Sequence, residues 1–249
     1  MQRAMPVRLR DFLWPAIMAI AMISTLAGLG AWQIARGHEK TALIAALDAR
    51  IALPSVALPP PQDWPKLTQG QDEFRRVTFI ARFVRAKPAL IFTTSTPLRR
   101  DVNGPGHWVF APAQLVSGET IIINRGYLPE AKSGDAEAGL QSDAVTITGY
   151  IRFAEEAGLF TPAPDGAKRL FYARMPGEMA HLLGWGNVAP FYIDMEGPKP
   201  SGAGPLPGAL TPKLPDNHRQ YAATWFALAA IFTVLFGIWI RGRVRGPAQ

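Results

Sequence analysis

The stretch Phe12–Ala35, FLWPAIMAIAMISTLAGLGAWQIA, decides the architecture because it has 24 residues and no charged side chain. As a helix it would be roughly 36 Å long, enough to cross a hydrocarbon core of roughly 30 Å. A second uncharged run at Tyr221–Ile240, YAATWFALAAIFTVLFGIWI, has 20 residues and would be roughly 30 Å long as a helix. The sequence therefore predicts two transmembrane helices with a domain between them.

Basic residues outside the two runs predict the orientation of the chain. Three arginines lie between residues 3 and 10, and three more lie between residues 241 and 245. Lysine and arginine close to membrane spans tend to stay on the cytoplasmic side, so we expect both termini in the cytoplasm. The ten residues before Asp11 are too few for an organellar presequence, which favours the plasma membrane of a bacterium and a periplasmic central domain.

The predicted organisation has six parts. They are a cytoplasmic tail (1–11), a transmembrane helix (12–35), a periplasmic domain (36–196), a tether (197–220), a second transmembrane helix (221–240) and a cytoplasmic tail (241–249). The tether is predicted because ten of the twenty residues from Gly197 to Asp216 are glycine or proline. A cleaved signal peptide is an alternative for the first run, although that run is longer than the roughly 7–15 apolar residues of a signal.

Composition excludes several functions. The chain has no cysteine, which rules out disulfides, thiolate metal sites and thiol redox chemistry. Its net charge is +7, but the two tails contain six of the 26 basic residues and only one of the 19 acidic residues. The excess positive charge thus follows the topology rule, and we predict no binding of nucleic acid.

The central region predicts an α+β domain with a mainly antiparallel sheet. The first helix is expected to continue past Arg36 to about Ile51 and to end before Pro54. One short helix is predicted at Pro176–Leu183. Strands are predicted at 74–84, 89–94, 107–110, 120–124, 144–153 and 191–195, with a turn at 102–106. Whether the sheet is open or closed into a barrel is left open by the pattern.

Enzyme motifs are missing, so a non-enzymatic function is predicted. His38-Glu39 begins like a zinc-protease helix, but Ala42 stands where the second zinc-binding histidine would be required. The chain also has no nucleophile elbow and no phosphate-binding glycine loop.

His218 is the most informative histidine because it lies just before the second uncharged run. On a helix, His218, Ala222, Trp225 and Ala229 would share one face. Histidine is a common axial ligand of haem iron, and small neighbours would leave room for a flat cofactor. The alternative is structural, because histidine and tryptophan favour membrane interfaces and alanines spaced by four often pack helix against helix.

The first run has a matching stripe of small residues and Trp32 that could pack against the second helix. It consists of Ser24, Ala27, Gly28, Ala31, Trp32 and Ala35. Gln33 and Arg36 follow at the outer end of this run. They are predicted to anchor the helix at the interface rather than to contact a ligand.

Three motifs in order resemble the Surfeit-locus (Surf-one, or Shy-one) family. They are GAWQIAR at 30–36, INRGYLP at 123–129 and NHRQYAATWF at 217–226. The resemblance extends over most of the chain and includes TGYIR at 148–152 and FTP at 160–162. Two details differ from the usual family pattern, namely Asp216 in the lead-in to His218 and Tyr127 where tryptophan is common.

The resemblance implies an assembly factor for cytochrome c oxidase that binds haem a and assists its insertion into the largest oxidase subunit. His218 is the implied ligand of the haem iron. The remaining candidate residues for cofactor binding are Trp225, Tyr221, Trp32, Gln33 and Arg36. The implied partners are the largest oxidase subunit, membrane lipid and, as a further candidate, the haem a synthesis machinery.

An alternative reading of the same resemblance is a structural chaperone. Such a protein would stabilise an oxidase assembly intermediate without binding haem, through Arg125 and the β-rich domain. His218 would then be only an interfacial residue.

Overall fold

The computed structural model describes residues 10–96, 98–99, 101–140, 143–155, 157–200, 202–212 and 217–245. It has two compact units. One unit holds the long terminal helices, and the other comprises the chain from residue 46 to residue 214.

The first unit consists of α1 (Arg10–Ile51) and α4 (His218–Arg245). Both helices are long and apolar enough to cross a membrane. Large apolar side chains such as Trp14 and Ile238 are exposed on them, as expected of helices that face lipid. The chain is therefore a membrane protein with two candidate spans, and the predicted extension of α1 to Ile51 is confirmed.

In its described residues, the second unit contains eight strands, two short α-helices and two 3-10 helices. The helices are α2 (Gln69–Asp72) and α3 (Pro176–Leu183), with 3-10 turns at Pro61–Lys66 and Glu130–Glu137. The strands are β1 (Val56–Ala57), β2 (Arg76–Phe83), β3 (Ala89–Ser95), β4 (Asn103–Leu115), β5 (Thr120–Pro129), β6 (Ala144–Phe153), β7 (Leu170–Phe171) and β8 (Val188–Gly197).

Five of the strands close into a barrel. The ring runs β2–β6–β8–β5–β4 and returns to β2 through three residue pairs between Ala81–Phe83 and Ala113–Leu115. β1, β3 and β7 extend the sheet beyond the ring. Most neighbours are antiparallel, as predicted, but β1 pairs with β2, β3 with β7 and β5 with β8 in parallel.

The barrel is buried on its inside and, along β5, on its outside as well. Ile121 and Ile123 point into the barrel core, whereas Ile122 belongs to a second core that includes Phe110 and Met179 of α3. Alternate residues of a strand face opposite sides of a sheet. The unbroken apolar run in β5 therefore reflects burial on both faces.

The predicted turn at 102–106 is wrong, because β4 begins at Asn103. The Tyr127 hydroxyl lies 3.1 Å from the carbonyl oxygens of both Gly104 and Pro105, and its single O–H can donate to either of them. Gly106 lets this ring approach, since a Cβ there would lie 2.6 Å from it. A side chain that is distant in sequence thus supplies a hydrogen-bond donor to the backbone carbonyls of a segment whose composition is typical of a turn.

The glycine- and proline-rich segment that was predicted as a tether is irregular in the structure. Part of it packs on the domain: Leu206 pairs with Tyr127 through two backbone hydrogen bonds of 2.8 and 3.1 Å, and Leu210 is buried. Residue 201 and residues 213–216 of the predicted tether lie outside the described residues. The predicted bounds of the tether, 197–220, are too wide, because Gly197 ends β8 and α4 already begins at His218.

Candidate functional site

His218 is the first residue of α4 and forms a hydrogen bond with α1. Its Nδ1 lies 2.7 Å from Oε1 of Gln33. An amide oxygen can only accept, so the imidazole donates its Nδ1–H, and the lone pair of the neutral ring is then on Nε2. A hydrogen bond that fixes the tautomer in this way is typical of histidines that bind metals through the other nitrogen.

Glycines bring α1 and α4 close together at this end. A Cβ on Gly37 would lie 3.1 Å from Cβ of His218, and a Cβ on Gly30 would lie 2.8 Å from the ring of Phe226. Gly30, Gln33 and Gly37 are spaced by three and four residues, so they share one face of α1. This face contacts α4 and positions the His218 ring.

The packing face that the sequence analysis predicted for α1 is therefore wrong. Ser24, Gly28 and Trp32 are exposed, and nothing lies within 4 Å of a Cβ placed on Gly28. The predicted stripe and the observed contact face, which contains Gly30 and Gly37, lie on different sides of α1. Because α1 is apolar on most sides, its periodicity could not distinguish them.

The structure brings together two of the six predicted site residues and leaves the others apart. Trp225 is half-buried on the His218 face of α4, where Ala222 and Ala229 are buried. Trp32 and Tyr221 are 56% and 55% exposed. Arg36 forms an exposed ion pair with Glu39 at 2.7 Å, consistent with a polar anchor.

Comparison with known proteins matches the model of the SURF1 family to residues 20–230, which is most of the chain. The chain belongs to the SURF1 family. Members of this family are non-enzymatic assembly factors for cytochrome oxidase.

Several proteins named Surfeit locus protein 1 or SURF1-like protein are similar over most of this chain. Surfeit locus protein 1 of Rattus norvegicus is 30% identical over 89% of this chain and 73% of the relative. Surfeit locus protein 1 of Homo sapiens is 28% identical over 89% of this chain and 75% of the relative. A SURF1-like protein of Monosiga brevicollis is 28% identical over 94% of this chain and 88% of the relative.

The central SURF1 motif, around Asn124-Arg125-Gly126, gives three adjacent residues three structural roles. Asn124 donates to Oδ1 of Asp194 at 2.6 Å. Arg125 points into the barrel and is almost fully buried. Gly126 has a φ of +117°, and a Cβ there would lie 2.1 Å from the carbonyl oxygen of Leu206. Only glycine allows this approach.

A buried ion network lies beside this motif in the SURF1 domain. Arg152 donates from Nε to Glu73 at 2.6 Å and from Nη1 to Asp194 at 2.8 Å. Its guanidinium also stacks 4.6 Å from the ring centroid of Phe74. The network joins β6, β8 and the residues before β2, so we interpret it as structural.

Sequence reasoning did not single out Gly37. The available signal was its position four residues after Gln33, which places it on the same helix face. Gly37 matters because α4 approaches α1 at this residue, and the sequence of α1 alone does not indicate that approach.

Proposed function

We propose that this protein binds haem a through His218 and assists its insertion into the largest subunit of cytochrome c oxidase. The hydrogen bond between Gln33 and His218 carries the proposal. It holds the imidazole in the tautomer that can bind iron through Nε2.

The residues around His218 fit a haem better than a bare metal ion. Among the described residues, no group of three or more histidine, aspartate or glutamate side chains could hold an ion. One imidazole is sufficient for haem because the porphyrin supplies the remaining nitrogen ligands. The small residues Gly37 and Ala222 add little side-chain bulk beside the ring, and Trp225 offers an aromatic surface on the same face.

A single axial histidine is suited to a carrier. A carrier must hold its cofactor less tightly than the final site does. Gln33 would orient the His218 ring, and Trp225 is a candidate contact for the macrocycle. Trp32, Tyr221 and Arg36 stay predictions as cofactor contacts, because their exposure gives no direct support.

The proposed setting is the plasma membrane of a bacterium, with both termini in the cytoplasm and the central domain in the periplasm. The arginines that flank the helices support this orientation. His218 would then lie at the outer interface of the membrane. The largest oxidase subunit is the proposed recipient, and the haem a synthesis machinery is a further candidate partner.

The direct test is the absorption spectrum of detergent-purified protein from cells that make haem a. We expect a haem a spectrum in the unaltered protein and its loss in a folded His218→Ala variant. His38→Ala is a matched control, because His38 is an exposed histidine on α1 and should leave the spectrum unchanged. Equal haem content in the His218→Ala variant would contradict ligation by this residue.

A structural chaperone is the second candidate, and one exposed loop favours it. Leu159 and Phe160 are 99% and 97% exposed, which is typical of apolar side chains that contact a partner. The contact cannot be made by Arg125 at the surface, since that side chain is 5% exposed. Protein that is colourless in every preparation but still co-purifies with the oxidase subunit would favour this function.

A further inference from the structure

Arg125 places a positive charge at the inner face of the barrel. It follows Ile121 and Ile123 on β5 at alternate positions, so the three side chains point to the same side. The two isoleucines are part of the barrel core. The Arg125 guanidinium lies 5.5 Å from the ring centroid of Phe83, which belongs to the same core.

Other buried arginines of the domain have acidic partners, whereas Arg125 has none among the described residues. Arg152 is paired with Glu73 and Asp194, and Arg99 is paired with Asp101. Within the described part of the chain, Arg125 forms no salt bridge and instead donates to the backbone carbonyls of Ala136 and Ala138. These two bonds use two of its five N–H donors.

Burial lowers the pKa of Arg125 to about 10, so the side chain remains positive at neutral pH. A buried charge without an opposite charge is unfavourable. A carboxylate that approached the guanidinium would remove this penalty and could form two parallel hydrogen bonds.

A cleft of about 360 Å³ gives access to Arg125. This volume is within the range of roughly 300–1,000 Å³ that is usual for small-molecule sites. The lining of the cleft includes Phe83, Val145 and Met195 of the barrel core and prolines of the 198–207 segment. Lys199, an exposed residue, is a second cation in the lining.

We propose that this cleft binds a carboxylate carried on an apolar body, with Arg125 and Lys199 holding the carboxylate. Both cations line the cleft and favour an anionic group there, although Lys199 also lies near enough to Asp101 to help lower the pKa of that carboxyl. The apolar walls match a hydrocarbon chain. Inorganic phosphate fits less well, because the walls offer it few further donors. The cleft shares no residue with the candidate haem site and does not depend on the binding of haem.

The test is a titration of the full-length protein in nanodiscs, labelled at its methionine methyl groups with ¹³C. Met195 lines the cleft, and its signal can be assigned with a Met195→Leu variant. We expect hexanoate to shift this signal saturably, whereas hexanol and inorganic phosphate should not. Displacement of hexanoate by dodecanoate added to the nanodisc would identify a membrane fatty acid as the source, and no displacement would identify a soluble acid.

Two variants test the cations separately. Arg125→Gln should weaken hexanoate binding by at least about tenfold through loss of a charge-assisted hydrogen bond. Lys199→Gln should weaken it about threefold, because an exposed ion pair contributes less; this variant also serves if Arg125→Gln fails to fold. Lys168→Gln is the matched control, since Lys168 is an exposed lysine outside the cleft lining.

The proposal is overturned if hexanoate gives no saturable shift of Met195, or if hexanol shifts it equally. It is also overturned if folded Arg125→Gln and Lys199→Gln proteins bind hexanoate as tightly as the Lys168→Gln control. The titration does not measure haem content. A negative result would therefore not contradict haem binding by His218, which the absorption spectra test separately.

Discussion

Gly37 controls how closely α1 approaches the residue that opens α4. A Cβ at this position would lie 3.1 Å from Cβ of His218, which is tighter than ordinary van der Waals contact. A Cβ alone requires a shift of a few tenths of an ångström, whereas a branched side chain such as valine must push the two helices apart or rotate the histidine. The hydrogen bond between His218 and Gln33 would be lost in either case.

We predict that Gly37→Val breaks this hydrogen bond and costs about 1–3 kcal/mol of helix association through overpacking. The Nδ1–H signal of His218 in protein labelled with ¹⁵N-histidine should disappear or exchange rapidly with water. Gly28→Val is the control on the same helix, because nothing lies within 4 Å of its Cβ position. An unchanged His218 signal in Gly37→Val would show that the helices tolerate the larger residue.

At the scale of secondary-structure elements, Arg152 ties together parts of the chain that are far apart in sequence. Its guanidinium bridges Glu73 before β2 and Asp194 on β8, while the residue itself belongs to β6. All three side chains are largely buried. Removal of the arginine would leave two buried carboxylates without their counter-charge.

We predict that Arg152→Gln lowers the free energy of unfolding by about 3–5 kcal/mol. Arg75→Gln should cost less than about 1 kcal/mol, because the Arg75 side chain is more exposed in its pair with Asp72. Pulse proteolysis of the full-length protein in increasing urea measures both values. Similar losses in the two variants would mean that the buried network is not a major source of stability.

Local sequence patterns predicted several elements well. α3 and β6 have the predicted bounds, Pro176–Leu183 and 144–153. The parallel pairing of β5 with β8 and the closure of the barrel were not predicted, because pairing between distant segments leaves no signal in either segment alone.

The candidate site was predicted only in part, for a related reason. His218 was found from its position at the start of an apolar run. Its contact with Gln33 depends on the rotation of one helix against another, and helices that face lipid have no strong polar stripe to reveal that rotation. Gln33 was therefore predicted as an interfacial anchor.

At the scale of the whole molecule, the absence of cysteine makes the topology directly measurable. We predict that Val116→Cys, in the exposed turn between β4 and β5, reacts with a membrane-impermeant maleimide in intact spheroplasts. Ala4→Cys in the N-terminal tail should react only after lysis. The unaltered chain is a control without any thiol, and the reverse labelling pattern would contradict a periplasmic domain.

The order of strands in the barrel has a consequence for synthesis of the protein. β8 is the last strand in sequence, yet it lies between β6 and β5 in the ring. Until residues 188–197 have left the ribosome, both neighbours have unpaired edges that could join other chains. The barrel can therefore close only late in synthesis, once nearly the whole domain has been made and has reached its side of the membrane. Chains that stop before this point would be early targets for proteolysis.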